Sequence, residues 1–433
     1  MSTQVIRPAC NLSGAVRPPG DKSISHRYGM LGALASGRSH LANYSTGADC
    51  ASTLACMAAL GAKIERRDDV VEIEGAGLRG LRPPAAPLDA GNSGSTIRML
   101  AGILAGQPFA SEIGGDASLS RRPMRRVVEP LQQMGAAIAA AEGGLPPLRF
   151  APAPSGLSGI EYRLPVASAQ VKTAVLFAGL FARGATAVIE PQPTRDHTEI
   201  ALRQCGARIS VQRGRVELAA APGELRPVDL TIPGDPSSAA FFLCAAAMFP
   251  EATLVIQGVS VNPRRAVLLD VLRRMGARIG IVEIAETAGE LVGTLSAAGP
   301  ARGRLQGTSI AGAETVALID EIPVLAVLAT ACEGGLHVAD AAELRVKESD
   351  RIAAIAENLR RMGARCEERP DGLIVPGPQQ LHAAAVDSRG DHRIAMAFAI
   401  AGLVADGPVE IAGADCAAIS YPEFYSTLAR ITD

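Results

Sequence analysis

The sequence predicts an α/β protein made of six copies of one unit, grouped as two similar domains of three copies each. Three observations carry that prediction. Five segments repeat the end of a helix, then Gly-Ala, then a strand. Six other stretches are apolar on nearly every side, as buried helices are. Finally, 433 residues that are 48% hydrophobic and 20% charged are enough for two large cores and lack the signature of a disordered chain.

The Gly-Ala segments are Leu60-Gly61-Ala62-Lys63-Ile64, Met134-Gly135-Ala136-Ala137-Ile138, Cys205-Gly206-Ala207-Arg208-Ile209, Met275-Gly276-Ala277-Arg278-Ile279 and Met362-Gly363-Ala364-Arg365-Cys366, with glycines 74, 71, 70 and 87 residues apart. Each follows an amphipathic run. Val267, Leu268, Val271, Leu272 and Met275 share one helical face, so a glycine just past the last turn is a natural C-terminal cap of an outer helix. The strand after it turns back as a hairpin, as in Lys63-Ile64-Glu65 and Val71-Glu72-Ile73. The apolar stretches lie near 25–36, 95–106, 170–182, 237–248, 322–332 and 392–404. An open solenoid is the alternative architecture, but its repeats usually run about 20–50 residues, shorter than these.

Pro-Gly-Asp occurs at 19–21 and at 233–235, each time directly before a buried helix, and these are the expected crossings between domains. One domain is then 21–233 and the other 1–20 plus 234–433, with a cleft between them. The first twenty residues would supply strands to the second domain, because the last repeat ends without a Gly-Ala strand of its own.

Composition narrows the partners. Lys and Arg number 42 against 44 Asp and Glu, a net charge of −2, and aromatics make up 3% with no Trp. That is neither a basic footprint nor a supply of stacking platforms, so nucleic acid is not an expected partner. No apolar run reaches the roughly 20 residues that span a bilayer, and the N-terminus lacks the features of a secretory signal, so a cytoplasmic protein is expected. The eight cysteines form no C-x-x-C pair and read as buried reduced thiols. The six His are scattered without zinc spacing, so neither a metal nor a cofactor is expected.

The polar residues concentrate where buried helices begin: Gly20-Asp21-Lys22-Ser23-Ile24-Ser25-His26-Arg27, Gly91-Asn92-Ser93-Gly94-Ser95-Thr96, Ser168-Ala169-Gln170-Val171-Lys172, Gly234-Asp235-Pro236-Ser237-Ser238, Asp320-Glu321-Ile322-Pro323 and Gly390-Asp391-His392-Arg393. Ser, Asp, Asn and Gly are ordinary caps there, and simple capping is the reading for Ser237 and Ser238. Cations are not explained by capping. Lys22, Arg27, Lys172 and Arg393 sit at the electrostatically wrong end, at about 0.3–1 kcal/mol each. Arg121-Arg122-Pro123, Thr194-Arg195-Asp196-His197, Asn262-Pro263-Arg264-Arg265 and Lys347-Glu348-Ser349-Asp350-Arg351 repeat the anomaly near the outer helices. A solvated salt bridge accounts for any one of them. As a set, basic side chains around free helix amides point to a ligand with more than one phosphate or carboxylate. Asp320 and Glu348 are the acids best placed for proton transfer, with capping the alternative.

The motifs Gly20-Asp21-Lys22-Ser23-Ile24-Ser25-His26-Arg27, Gly91-Asn92-Ser93-Gly94-Ser95-Thr96, Arg121-Arg122-Pro123-Met124, Ser168-Ala169-Gln170, Arg345-Val346-Lys347-Glu348-Ser349-Asp350-Arg351 and Asp391-His392-Arg393, in order, resemble the 5-enolpyruvylshikimate-3-phosphate synthase family over the whole chain. The resemblance implies an enolpyruvyl transferase fold: two domains, each with three repeats of a β-α-β-α-β-β unit, closing on small-molecule substrates, the protein acting as a monomer. It implies shikimate 3-phosphate against Lys22, Ser23, Arg27, Ser168, Ala169, Gln170, Arg195, Asp320 and Lys347, mainly on the 21–233 side. Phosphoenolpyruvate would lie against Lys22, Gly94, Arg122, Gln170, Arg351 and Arg393, with the second domain contributing acid and base. The catalytic set is Asp320, Glu348, Lys22 and His392. Ser168-Ala169-Gln170-Val171-Lys172 and Arg195-Asp196-His197-Thr198-Glu199 look like the branch whose members often tolerate glyphosate, while Gly94 keeps the small residue of many sensitive members. Ile419 stands where many members place a phosphoenolpyruvate-binding lysine.

Two rivals are weaker. The sister enzyme acting on UDP-N-acetylglucosamine carries a cysteine before its Arg-Pro motif, and this chain has none between Cys56 and Cys205. A non-catalytic phospholigand-binding protein would need no acids such as Asp320 and Glu348 among its cations.

Overall fold

The structure is a computed structural model that describes residues 2–221 and 223–432. The chain forms two compact units. One comprises Met1–Pro19, Pro233–Glu286 and Leu291–Asp433; the other comprises Gly20–Ile232 and Thr287–Glu290. The four-residue excursion is the turn of the long hairpin Arg278–Thr287 and Glu290–Ala298, and nothing in its sequence announces it.

Among the described residues, six small sheets share one plan: a parallel strand pair continued by antiparallel neighbours. Leu88–Asp89 runs parallel to Ser111–Gly114, which pairs antiparallel with Leu145–Ala151, itself antiparallel to Ala137–Ala141. A parallel neighbour requires a crossover, and the buried helix Gly94–Leu104 supplies it. The same crossover recurs with the helices Ala169–Gly179, Ile322–Ala329 and His392–Leu403, whereas Lys22–Leu34 and Pro236–Ala247 lead into strands whose parallel partners come from far along the chain. Three of the sheets are completed from afar, one of them by Ser13–Val16, which runs parallel to Thr253–Ser260. Thr3–Ile6 pairs antiparallel with Val409–Ala412, in register Thr3↔Ala412, and Asp229–Thr231 lies parallel to Ser36–Ala42.

The sequence repeats have a conformational cause. Gly61, Gly135, Gly206, Gly276 and Gly363 all adopt positive φ, from +81° to +107°, where a side chain is strained. Each ends an outer helix and aims the chain into its hairpin, such as Lys63–Arg67 with Val70–Ala76, where Ile64 faces Ile73. The buried helices are the cores of their units. In Pro236–Ala247 every residue from Ser237 to Ala247 is buried, and in His392–Leu403 the whole helix is.

Two expectations need correction. Cys10 is exposed and Cys416 half-buried, whereas the other six thiols are buried. The cap of Pro236–Ala247 is Asp235, which accepts from Ser237 N at 2.7 Å, while Ser237 and Ser238 lie inside the helix. Among the described residues no helix is long and apolar enough to cross a membrane.

Candidate active site

In the unit containing Gly20–Ile232, the starts of three buried helices gather the polar residues. Asp21 caps Lys22–Leu34 by accepting from Ile24 N at 2.9 Å, which leaves Lys22 at the first helical position. Its Nζ is 3.1 Å from Asp49 Oδ2, in the first turn of the outer helix Ala48–Ala59. One turn on, Arg27 is buried. Its Nε donates to Thr198 Oγ1, its Nη2 to Thr173 Oγ1 and its Nη1 to the Ser23 carbonyl, each at 2.7 Å. Burial pulls the guanidinium down to about 10, and Glu199 is the strongest influence opposing that.

Ser93 caps Gly94–Leu104 through Thr96 N at 3.1 Å, so Gly94 opens the helix. Gln170, one residue into its own helix, donates from Nε2 to Ser95 Oγ at 2.9 Å and accepts from Arg98 Nη1 at 3.1 Å. Arg122 Nη2 donates to Asn92 Oδ1 at 2.8 Å and Ser118 Oγ at 3.1 Å. A Cβ placed on Gly94 would meet Arg98 Nη1 at 2.6 Å and Arg122 Nη1 at 3.4 Å, so both guanidiniums converge on this glycine. Arg98 was missed from sequence. A cation four residues into an otherwise apolar helix was the available signal. Ser168 caps Ala169–Gly179, accepting from Val171 N at 3.4 Å, and Arg195 Nη1 reaches Ser23 Oγ at 3.4 Å.

In the other unit the centre is Arg351, 1% exposed at the start of Arg351–Arg361. Its Nε is 2.8 Å from Asp391 Oδ2, its Nη2 is 2.6 Å from Glu348 Oε2, and its Nη1 is 3.4 Å from Asp320 Oδ1. Burial works against this charge, yet Asp391, Glu348 and Asp320 together hold it well above the ordinary arginine value. Arg393 Nη1 donates to the Asp320 carbonyl at 3.0 Å, and its Nε lies 3.7 Å from Asp320 Oδ1. Burial depresses the Lys347 ammonium, Asp320 opposes that, and Arg351 adds to it. His392 is buried at the first position of its helix, directly after the cap Asp391.

The structure therefore divides the candidates into two sets. Lys22, Ser23, Arg27, Gly94, Arg122, Ser168, Ala169, Gln170 and Arg195 come together in one unit, and Asp320, Lys347, Glu348, Arg351, His392 and Arg393 in the other. It also corrects the electrostatic argument. Lys172 does not wait for a ligand: its Nζ, fully buried, is 2.7 Å from Glu199 and 3.1 Å from Glu190. Arg265, also buried, donates to Ser237 Oγ at 2.8 Å and lies 3.5 Å from Asp235. Acids of the same repeat thus neutralise Lys172 and Arg265 internally, which sequence spacing could not reveal.

The family description "EPSP synthase (3-phosphoshikimate 1-carboxyvinyltransferase)" matches residues 6–428. A 3-phosphoshikimate 1-carboxyvinyltransferase of Solibacter usitatus is 56% identical over 428 residues, 99% of each chain, and one of Koribacter versatilis is 55% identical over the full length of both. The solved EPSP synthase of Acinetobacter baumannii superposes with a TM-score of 0.87 at 39% identity, covering 99% of this chain and 98% of its own. An enolpyruvyl transferase of Streptomyces tendae, 20% identical with a TM-score of 0.79 over 99% of this chain and 97% of its own, shares the fold. Agreement end to end, in sequence and in the six-sheet architecture alike, makes this chain a member of the EPSP synthase (3-phosphoshikimate 1-carboxyvinyltransferase) family.

Proposed function

We propose that the chain transfers the enolpyruvyl group of phosphoenolpyruvate to the 5-hydroxyl of shikimate 3-phosphate, releasing phosphate. The observation that carries the reading is the Asp320–Arg351–Glu348 group, two carboxylates of 15–16% exposure held by one buried guanidinium, beside Lys347 and Arg393. A mere anion binder has no use for acids held among its cations. A transferase that must take one proton and give another does.

In this reading Lys22, Ser23, Arg27, Ser168, Ala169, Gln170, Arg195, Asp320 and Lys347 hold shikimate 3-phosphate, and Lys22, Gly94, Arg122, Gln170, Arg351 and Arg393 hold phosphoenolpyruvate. Asp320 takes the 5-hydroxyl proton as the oxygen attacks C2 of phosphoenolpyruvate, while Lys22 and Glu348 carry the proton that C3 receives. The tetrahedral adduct then loses phosphate as a C3 proton returns to the same carriers, restoring the double bond. His392 adjoins this step. Arginines supply fork-shaped donors for phosphate and carboxylate, and so the positioning part of catalysis. The chain acts as a monomer in the cytoplasm in this reading.

Steady-state phosphate release tests it. Turnover is expected with shikimate 3-phosphate plus phosphoenolpyruvate and not with UDP-N-acetylglucosamine in place of the shikimate ester; the reverse preference overturns the reading.

A further inference from the structure

The loop that carries Arg195 is fastened on nearly every side. It runs from the end of the strand Thr186–Ile189 to the start of the helix His197–Gln204. Glu190 at its beginning accepts from Thr194 N at 3.1 Å and from the Thr194 hydroxyl. His197 Nδ1 is 2.6 Å from Glu290 Oε1, and Thr198 Oγ1 takes Arg27 Nε and lies 2.6 Å from Thr173 Oγ1. Glu199 at its far end is paired with Lys172. Thr194, His197, Thr198 and Glu199 are all buried, and Arg195 and Asp196 are the half-buried side chains between them.

One ammonium joins the two ends of this loop. Lys172 Nζ reaches Glu199 Oε1 at 2.7 Å and Glu190 Oε1 at 3.1 Å, with 0% exposure of the lysine side chain and 2% of each glutamate. Two carboxylates at that depth repel and are poorly solvated unless a cation lies between them. A lysine suits the place because its three donors sit on a single point and can serve two oxygens in different directions. Glu199 in turn is the strongest influence keeping the buried Arg27 charged.

We propose that Lys172 is a positioning residue: its ammonium staples Glu190 to Glu199, closes the 190–199 loop in the shape that presents Arg195, and keeps Glu199 beside Arg27. Resting on the function proposed above, the staple sets the affinity for shikimate 3-phosphate through Arg195 and Arg27 without touching the ligand.

The test compares the unaltered full chain with K172M. Because K172M strands two buried carboxylates, the triple variant K172M/E190Q/E199Q, which removes the ammonium together with the charge of both its partners, is measured beside it. Amide hydrogen exchange across 191–198 in the ligand-free protein is expected to quicken by about tenfold or more in both. Calorimetric affinity for shikimate 3-phosphate is expected to fall about 100-fold, the scale on which a displaced clamp costs. At saturating shikimate 3-phosphate, kcat and the KM for phosphoenolpyruvate should stay within about threefold, a split that general loss of structure would not produce. Unchanged exchange in a folded triple variant, affinity within about threefold of the parent, or a phosphoenolpyruvate KM that rises in step would each overturn the staple. Exchange needs no substrate, so this result stands apart from whether the unaltered chain turns over shikimate 3-phosphate at all.

Discussion

Arg351 Nε lies 2.8 Å from Asp391 Oδ2, and the other oxygen of the same carboxylate caps the helix His392–Leu403 by accepting from Arg393 N at 2.9 Å. A single buried acid thus fixes two cations of adjacent repeats: Arg351 by its charge and Arg393 through the backbone. Glu348 and Asp320 then meet Arg351 from its other edges, so the geometry of both proposed proton-transfer acids is inherited from Asp391.

Glu348→Gln tests the proton-carrying role with little structural cost, because an amide oxygen can still accept from Arg351 Nη2, and Asp391 keeps the guanidinium paired. The variant should fold with an unchanged melting temperature and lose about 100-fold or more in kcat, as removal of a general acid–base group does. Rates near those of the unaltered chain, measured by phosphate release, would take Glu348 out of the mechanism.

Lys22→Met removes the ammonium 3.1 Å from Asp49, a carboxylate that is 7% exposed. A fall of about 100-fold or more in kcat/KM for phosphoenolpyruvate is expected from loss of a group that both binds and carries a proton. Lys22→Met combined with Asp49→Asn separates the two causes. If the lost rate came only from an unpaired Asp49, the double variant would recover it; the expectation is that it does not.

Gly94→Ala places a methyl 2.6 Å from Arg98 Nη1 and 3.4 Å from Arg122 Nη1. The nearer atom is the tip of a flexible side chain, so the helix should tolerate the change and the melting temperature should stay within about 2 °C, as for a helix-compatible substitution. Arg98 must swing away, taking with it the bond to Gln170. The KM for phosphoenolpyruvate is expected to rise by about tenfold with the KM for shikimate 3-phosphate much less altered, since one charge-assisted contact is worth that much. Equal KM values for phosphoenolpyruvate in the two proteins would show that neither guanidinium is displaced from a ligand contact.

The repeats were legible because backbone geometry writes them directly: Gly61, Gly135, Gly206, Gly276 and Gly363 need positive φ, and no other residue serves as well. Buried helices were legible as unbroken apolar stretches. The polar starts of those helices were legible as a set, but not the role of each member. Lys172 and Gln170 lie two residues apart on one helix start, yet the lysine is sealed between Glu190 and Glu199 while the amide meets Arg98 and Ser95. What separates them is tertiary: Glu190 and Glu199 fold back from later in the same repeat, while Ser95 and Arg98 belong to the repeat before it, information that spacing along one chain segment does not contain. Arg98 was overlooked for the same reason: its partners Gly94 and Gln170 come from two different repeats.

Acid sensitivity should trace in part to His26. The imidazole is fully buried, its Nδ1 2.7 Å from Thr53 Oγ1, and burial, with Lys22 and Arg27 adding to it, holds its pKa well below the ordinary histidine value. In the unfolded chain the same group takes a proton near about pH 6.5. The unfolded state therefore binds more protons than the folded state below that pH. The stability that neutral His26 contributes is fully present above about pH 6.5 and is lost as pH falls from there toward the folded pKa. Thermal unfolding between about pH 7 and pH 5 should show a falling melting temperature, and His26→Gln should flatten that fall while lowering the pH 7 value through loss of the best Thr53 contact. An identical slope in both proteins would assign the acid sensitivity to other groups.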